Sequence, residues 1–71
     1  MQTGIYEHYK GNQYRVIDIA KHSETEELLV LYRPMYGDES LWVRPFAMFF
    51  EKVTVDRFEV PRFKYIGDAN E

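Results

Sequence analysis

The sequence contains no cysteine, only three prolines and four glycines, and no long hydrophobic run. The absence of cysteine excludes disulfides, cysteine-based zinc sites and thiol chemistry. Small secreted domains usually depend on disulfides, so this absence favours the cytoplasm. The longest apolar runs, Leu28–Tyr32 and Phe46–Phe50, are far shorter than the ~20 residues of a membrane-spanning helix. Met1–Tyr6 has neither a basic nor an apolar signal-peptide region. We therefore expect a soluble, cytoplasmic protein.

An excess of basic charge is also missing, because twelve acidic residues outnumber nine basic ones and give a net charge of −3. A dedicated non-specific nucleic-acid binder gains its affinity by neutralising several phosphates, which this balance disfavours. Acids and bases could still lie on opposite faces of the fold. Binding to single-stranded nucleic acid therefore stays open as an alternative.

Residues suited to catalysis or metal binding are few. His8 and His22 are the only histidines, and with Asp18 they fall short of a structural zinc set. His22 and Ser23 are adjacent, so in an extended segment their side chains point to opposite faces. Capping of a turn explains Ser23 and Thr25. We predict no catalytic residue, no metal and no cofactor, and we rank a small hydrolase or metal-dependent enzyme last.

Alternating apolar residues and turn signals predict an antiparallel β protein. The predicted strands are Gly4–Tyr9, Gln13–His22, Leu28–Pro34, Leu41–Arg44 and Val60–Ile66. In the second strand the apolar phase shifts between Val16 and Ile17, which predicts a bulge or sharp bend. Residues 23–27 form a hairpin loop or a single helical turn, and residues 54–59 form a turn or short hairpin.

The segment 41–53 concentrates the apolar mass of the chain. Pro45 lacks an amide donor and suits the first position of a helix. After it, Phe46, Phe49, Phe50 and Val53 are spaced as one face of a short helix, which we expect to close one end of the sheet.

These elements predict a mostly β fold: a small five-stranded antiparallel SH3-like barrel with one short helical turn before the last strand. We expect a single domain over residues 1–71, with the barrel at about 4–66 and a frayed tail at 67–71. An OB-fold is the alternative, but it normally needs longer strands and a longer helix. Either a monomer or a weak homodimer is expected, and Val60–Ile66 is the candidate edge strand for pairing although Pro61 blunts it.

Arginines interleaved with aromatic residues form the candidate ligand surface. If Leu41 and Val43 face the core, Trp42 and Arg44 face outward. An exposed indole beside a guanidinium can stack on a ring and bind carboxylate, phosphate or a base edge. The alternative is that Trp42 packs under the helical turn and Arg44 pairs with an acid. The candidate ligand-binding residues are Trp42, Arg44, Arg33, Arg62, His8 and Tyr9. We predict a non-catalytic module that binds a protein or peptide, or alternatively single-stranded RNA.

A set of motifs in one order carries a family resemblance. They are Gly4-x-Tyr6-x-His8-Tyr9-Lys10-Gly11-x-x-Tyr14, His22-Ser23-Glu24-Thr25, Tyr32-Arg33, Tyr36-Gly37, Leu41-Trp42-Val43-Arg44-Pro45, Met48-Phe49 and Pro61-Arg62-Phe63. Together they resemble the bacterial domain-of-unknown-function family numbered 1653, from Gly4 to about Ile66. The resemblance implies a small SH3-like fold and a bacterial cytoplasmic setting, and it implies no activity. Arg57 stands where glycine is expected, which disfavours a type I′ turn there.

Overall fold

The computed structural model describes residues 2–68, which form seven strands and one short helix. The strands are β1 (Gly4–His8), β2 (Gln13–Lys21), β3 (Leu28–Pro34), β4 (Trp42–Pro45), β5 (Lys52–Val55), β6 (Phe58–Pro61) and β7 (Phe63–Gly67); the helix α1 spans Phe46–Phe49. No helix within residues 2–68 is long and apolar enough to cross a membrane.

The strands form two antiparallel sheets. Five of them lie in the order β4-β3-β2-β1-β7, and β5 pairs with β6 in a separate hairpin. The mostly β, antiparallel prediction is confirmed. Among the described strands β4 and β7 are not paired with each other, so the five-stranded sheet stays open and the closed barrel is not confirmed.

The C-terminal half differs from the prediction of a single last strand. Val60–Ile66 is divided between β6 and β7, and α1 is followed by three strands rather than one. Pro61 ends β6 because it lacks an amide donor. The Arg62 N–H then donates to the Glu51 carbonyl at 3.0 Å, and the Arg62 carbonyl accepts from the Tyr9 N–H at 2.9 Å. These two bonds turn the chain from the hairpin back to β1.

The shift in the apolar alternation of β2 corresponds to an irregularity in the pairing of β2 with β3. Val16 is aligned with Tyr32, but the next aligned pair is Asp18 with Leu31, so Ile17 is the extra residue of a bulge. The predicted bulge is confirmed. It brings Ile19 opposite the fully buried Val30, so that β2 contributes to the core on both sides of the irregularity.

The core is a mostly aromatic face formed by the large sheet and one helical residue. Its buried members are Tyr6, Tyr14, Val16, Val30, Tyr32, Phe49 and Phe63, and Ile19 and Phe46 pack against them. We call this surface of the sheet the aromatic face. Phe49 is stacked on Phe63 with 4.1 Å between ring centroids and meets Tyr6 and Tyr32 edge-on. The prediction that the helical turn seals one end of the sheet is confirmed for Phe49, which has no exposed surface.

The predicted helical face is shorter than its spacing indicated. The helix begins after Pro45, whose φ of −52° suits a helix start, and it ends at Phe49. Phe50 is exposed although its ring contacts Phe46 and Phe49. Val53 lies in β5, not in the helix, because the branched residues around it favour a strand.

From the sequence we considered β4 with Leu41 and Val43 facing the core and Trp42 and Arg44 facing outward; the structure shows the opposite orientation. Leu41 and Val43 are 55% and 56% exposed, whereas Trp42 and Arg44 lie on the aromatic face. The reason is the register with β3, which aligns Trp42 with buried Tyr32. The pairing of a strand with its neighbour fixes which of its side chains face the core.

The β5–β6 turn also departs from the prediction. Asp56 and Arg57 occupy the two loop positions between the Val55–Phe58 pair, and both have positive φ, at 49° and 72°. A type I′ turn needs positive φ at both positions, so the turn that was not expected here has formed although Arg57 disfavours it. The pairing of the flanking strands holds Arg57 in a conformation that is unfavourable for its bulk.

Replacing Phe49 by alanine should test the core assignment. Loss of a fully buried ring costs about 3–5 kcal/mol, a large part of the about 5–15 kcal/mol typical of a folded domain. Urea unfolding of Phe49→Ala should therefore show severe destabilisation or no folded baseline. Met48→Ala is the matched control because Met48 is exposed, and it should change stability by no more than about 0.5 kcal/mol. Similar effects of the two substitutions would contradict the packing described.

Replacing Arg57 by glycine should stabilise the protein. Relief of the left-handed conformation outweighs the extra backbone entropy of glycine, for a net gain of about 0.5–1 kcal/mol. The measurement is the midpoint of thermal unfolding, which should rise. Arg57→Lys keeps the bulk and the charge and should leave the midpoint unchanged. A lower midpoint for Arg57→Gly would show that the turn is not strained.

Candidate functional site

The sheet curls far enough for side chains from its two end strands to meet. Arg44 from β4 lies over the ring of Phe63 from β7, with 5.5 Å between the guanidinium carbon and the ring centroid. Phe49 and Phe46 occupy one part of the aromatic face. Another part carries Trp42, Arg44, His8, Tyr14 and Tyr36, which we call the Trp42–Arg44 surface.

Arg44 is the central cation of this surface. Its Nε donates to the Tyr32 hydroxyl at 3.3 Å, and its guanidinium faces the Phe63 ring. Among residues 2–68 no carboxylate lies within ion-pair distance of Arg44. The predicted alternative, in which Arg44 pairs with an acid, is therefore not found in this part of the chain. A half-buried cation with neutral partners retains N–H groups for an anionic ligand.

His8 lies beside Arg44 among aromatic rings. Its ring centroid is 4.5 Å from that of Tyr9 and 4.9 Å from that of Phe63. Its Nδ1 accepts a hydrogen bond from the Lys10 N–H at 3.1 Å, which assigns the proton of the neutral ring to Nε2. Burial, followed by the charges of Arg44, Arg62 and Lys10, lowers the pKa of His8. At neutral pH the imidazole is uncharged and offers one N–H to a ligand.

Trp42 is partly packed and partly exposed. Its ring meets Tyr32 edge-on at 6.0 Å and Tyr14 at 6.4 Å, yet 42% of the residue remains exposed. It therefore neither points away from the core nor lies under the helical turn, the two arrangements considered from the sequence. The hydroxyls of Tyr14 and Tyr36 are 3.2 Å apart. Burial and this hydrogen bond raise the pKa of Tyr14 to about 12, so Tyr14 stays neutral.

The structure brings most of the predicted site residues together. His8 contacts Tyr9, and the charges of Arg44 and Arg62 are near enough to lower its pKa, after the larger effect of burial. Arg62 is already engaged, because its Nη2 lies 3.4 Å from a Glu51 carboxylate oxygen, while its buried Nε has no hydrogen-bond partner among the described residues.

Arg33 is separated from this set. It is aligned with Arg15 on the face of the sheet opposite the aromatic face, because its neighbours Tyr32 and Pro34 take the buried positions. The prediction that Arg33 joins the ligand surface is therefore not supported by its position. The alternation of buried and exposed residues in β3 was the available signal, since Tyr32 and Arg33 cannot share a face.

Three residues at the site were not among the candidate ligand-binding residues. Tyr14, Tyr36 and Phe63 contact one another or the predicted residues, but they come from β2, from the loop after β3 and from β7. The alternation of Tyr14 with Val16 indicated an inward side chain. No local pattern indicated that it would lie beside Trp42.

A separate groove of about 330 Å³ adjoins the site. Its lining residues come from β1, β7 and the β5–β6 hairpin and are Glu7, His8, Tyr9, Val55, Val60, Pro61 and Lys64. The groove shares His8 and Tyr9 with the predicted set but does not include Trp42 or Arg44. Within residues 2–68 no three histidine, aspartate or glutamate side chains are grouped so that they could hold a metal ion.

The low pKa of His8 should appear in the pH dependence of stability. Between that lowered pKa and ~6.5, the unfolded chain binds more protons at His8 than the folded chain does. Stability contributed by neutral His8 is therefore complete above ~6.5 and declines as the pH falls through this window. Urea unfolding at pH 7.5 and pH 5 should show a smaller loss for His8→Gln than for the wild type. Parallel behaviour of His8→Gln and wild type would contradict the assignment.

Comparison with known proteins gives two concordant similarities. The family model described as "Protein of unknown function (DUF1653)" matches residues 4–65. The chain is also similar to a crystal structure of a DUF1653 protein from Bordetella bronchiseptica, with 31% identity and a TM-score of 0.87 over 96% of this chain and 90% of that chain. No curated protein matches the chain. The resemblance inferred from the motifs is confirmed: the chain belongs to the DUF1653 family, whose function is unknown.

Proposed function

We propose that this protein is a non-catalytic binding module that recognises an acidic segment of a protein or peptide through the Trp42–Arg44 surface. The observation that carries the proposal is the position of Arg44, a half-buried guanidinium without a carboxylate partner among residues 2–68, on the same face as a partly exposed indole. Such a pair offers a bidentate donor to a carboxylate and a flat apolar surface to a neighbouring side chain.

Local charge supports an anionic ligand even though the chain as a whole is acidic. Arg44, Arg62 and Lys10 all lie near enough to His8 to lower its pKa. Three of the nine basic residues therefore lie on this side of the molecule, although Arg62 is paired with Glu51 and the net charge of the chain is −3. A carboxylate that approaches Arg44 enters a positive local potential, which favours association and suppresses basic partners.

The curled sheet supports the finer fold assignment. Arg44 of β4 reaches Phe63 of β7, as opposite walls of a small barrel do, although no strand pairing closes the sheet in residues 2–68. We infer an SH3-like arrangement on this basis. The cytoplasmic location suggested by the absence of cysteine stays a prediction.

Single-stranded RNA is the second candidate ligand. Exposed aromatic residues near a cation, here Trp42 on the same face as Arg44, are the elements with which such proteins stack bases and contact phosphates. Because the overall charge of the protein is negative, we rank RNA below a peptide as the candidate ligand. A hydrolase remains last, and no observation on the described residues favours it.

The proposal predicts selective binding of acidic peptides. Peptides selected from a random dodecapeptide library on the immobilised wild-type protein should be enriched in Asp and Glu. Trp42 is the only tryptophan, so its fluorescence should report binding of the selected peptides directly. Arg44→Gln should weaken binding about tenfold or more, as expected for the loss of a charged hydrogen-bond donor.

The matched control is Arg33→Gln, which removes the same charge from the opposite face and should leave affinity unchanged. If the two variants weakened peptide binding equally, the loss of affinity would be explained by the change in net charge, and binding at the Trp42–Arg44 surface would be contradicted. Failure to select any peptide, together with oligonucleotide binding that falls steeply with salt, would instead favour RNA.

A further inference from the structure

The outer edge of β4 has no backbone partner in the part of the chain that the structure describes. β4 is an end strand of the large sheet and pairs only with β3. Apart from that pairing, no backbone hydrogen bond of a turn, loop or cap involves residues 41–44 within the range 2–68. The N–H and C=O groups that point away from β3 are therefore free to pair with an additional strand.

This edge is apolar on both faces. Leu41 and Val43 are more than half exposed on one face, and Trp42 is 42% exposed on the other. Natural proteins usually protect an end strand with charged residues, especially lysine. The opposite end strand, β7, contains such a lysine, Lys64. The only charged residue in β4 is Arg44, and its side chain is directed to the aromatic face.

We propose that the ligand binds as an added antiparallel strand on the outer edge of β4. This inference rests on the proposed function and specifies its binding mode. An added strand places alternate side chains on the two faces of the sheet, each opposite a residue of β4. The backbone edge then supplies affinity, and the side chains of β4 supply selectivity.

The side chains of β4 define the chemistry of the added strand. Opposite Arg44 the ligand carries Asp or Glu, which meets the unpaired guanidinium. The next ligand residue faces exposed Val43 and is apolar and preferably branched. The residue after it faces Trp42 and is a proline or another ring that can pack on the indole. The predicted segment is thus extended and reads acid, branched apolar, ring in the direction antiparallel to β4.

The edge of β4 that can pair with an added strand is short. Pro45 has no N–H group to offer, and α1 begins at the next residue, so the usable edge is limited to residues 41–44. A contact of this size belongs to weak, transient partners rather than to a permanent assembly. A second copy of this chain is the rival occupant, because antiparallel pairing centred on Val43 would set Trp42 of one copy against Arg44 of the other.

The test uses the full chain and the tightest peptide from the library selection. Two versions of that peptide carry N-methyl groups on alternate residues, one version on each of the two possible sets. Because only one set of amides faces β4, one version should lose about tenfold or more in affinity and the other should bind like the parent. Loss by neither version would overturn strand addition while leaving peptide recognition intact.

Amide hydrogen exchange on the protein supplies the second measurement. Saturation with the parent peptide should slow exchange at those amides of residues 41–44 that do not bond to β3 by about tenfold or more. Unchanged exchange with the peptide bound would overturn the proposal.

Two further results can be distinguished from unchanged amide exchange in the peptide complex. A parent peptide that never binds would defeat the proposed function itself. Sedimentation that shows a dimer of the free chain, lost in Val43→Lys, would assign the edge to a second copy and overturn the peptide mode.

Discussion

The parallel stack of Phe49 on Phe63 is the contact on which the rest of the structure depends. It joins α1 to β7, an end strand of the large sheet, across the aromatic face. The Phe63 ring also faces Arg44, His8 and Tyr14. Because no backbone hydrogen bonds join β4 to β7 among the described residues, side-chain contacts such as this stack and the Arg44–Phe63 contact hold the two ends of the sheet near each other.

In so small a domain the core and the candidate site share one aromatic surface. A domain this small buries only about 60% of the surface of its unfolded chain, so large rings must fill the core. Tyr32 and Phe63 are buried, and the same face continues outward through Tyr14 to the partly exposed Trp42. The candidate site is therefore the exposed margin of the core: Tyr14 and Trp42 lie on strands and pack against each other, whereas Tyr36 lies in the loop after β3. This arrangement favours pre-organised recognition.

Local features of the fold could be predicted because their causes are local. Glycine and asparagine placed the β1–β2 turn, the phase shift at Ile17 indicated the bulge, and Pro45 marked the helix start. The errors had non-local causes. The inward face of β4 was set by alignment with Tyr32, and the positive φ of Arg57 was imposed by the pairing of β5 with β6. Neither alignment is encoded within the segment that it affects.

The sequence by itself determined the class of the protein: a mostly β, disulfide-free domain of the DUF1653 family, rich in aromatic residues. Periodicity and turn chemistry suffice for the fold class, since they act between residues close in the chain, and the ordered motifs indicate the family. Only the tertiary structure decided which aromatic and basic side chains share a surface, bringing Arg44 and His8 together and leaving Arg33 on the opposite face. The physical reason is that strand register and sheet curl fix the direction of each side chain, and both arise from contacts between residues distant in the sequence.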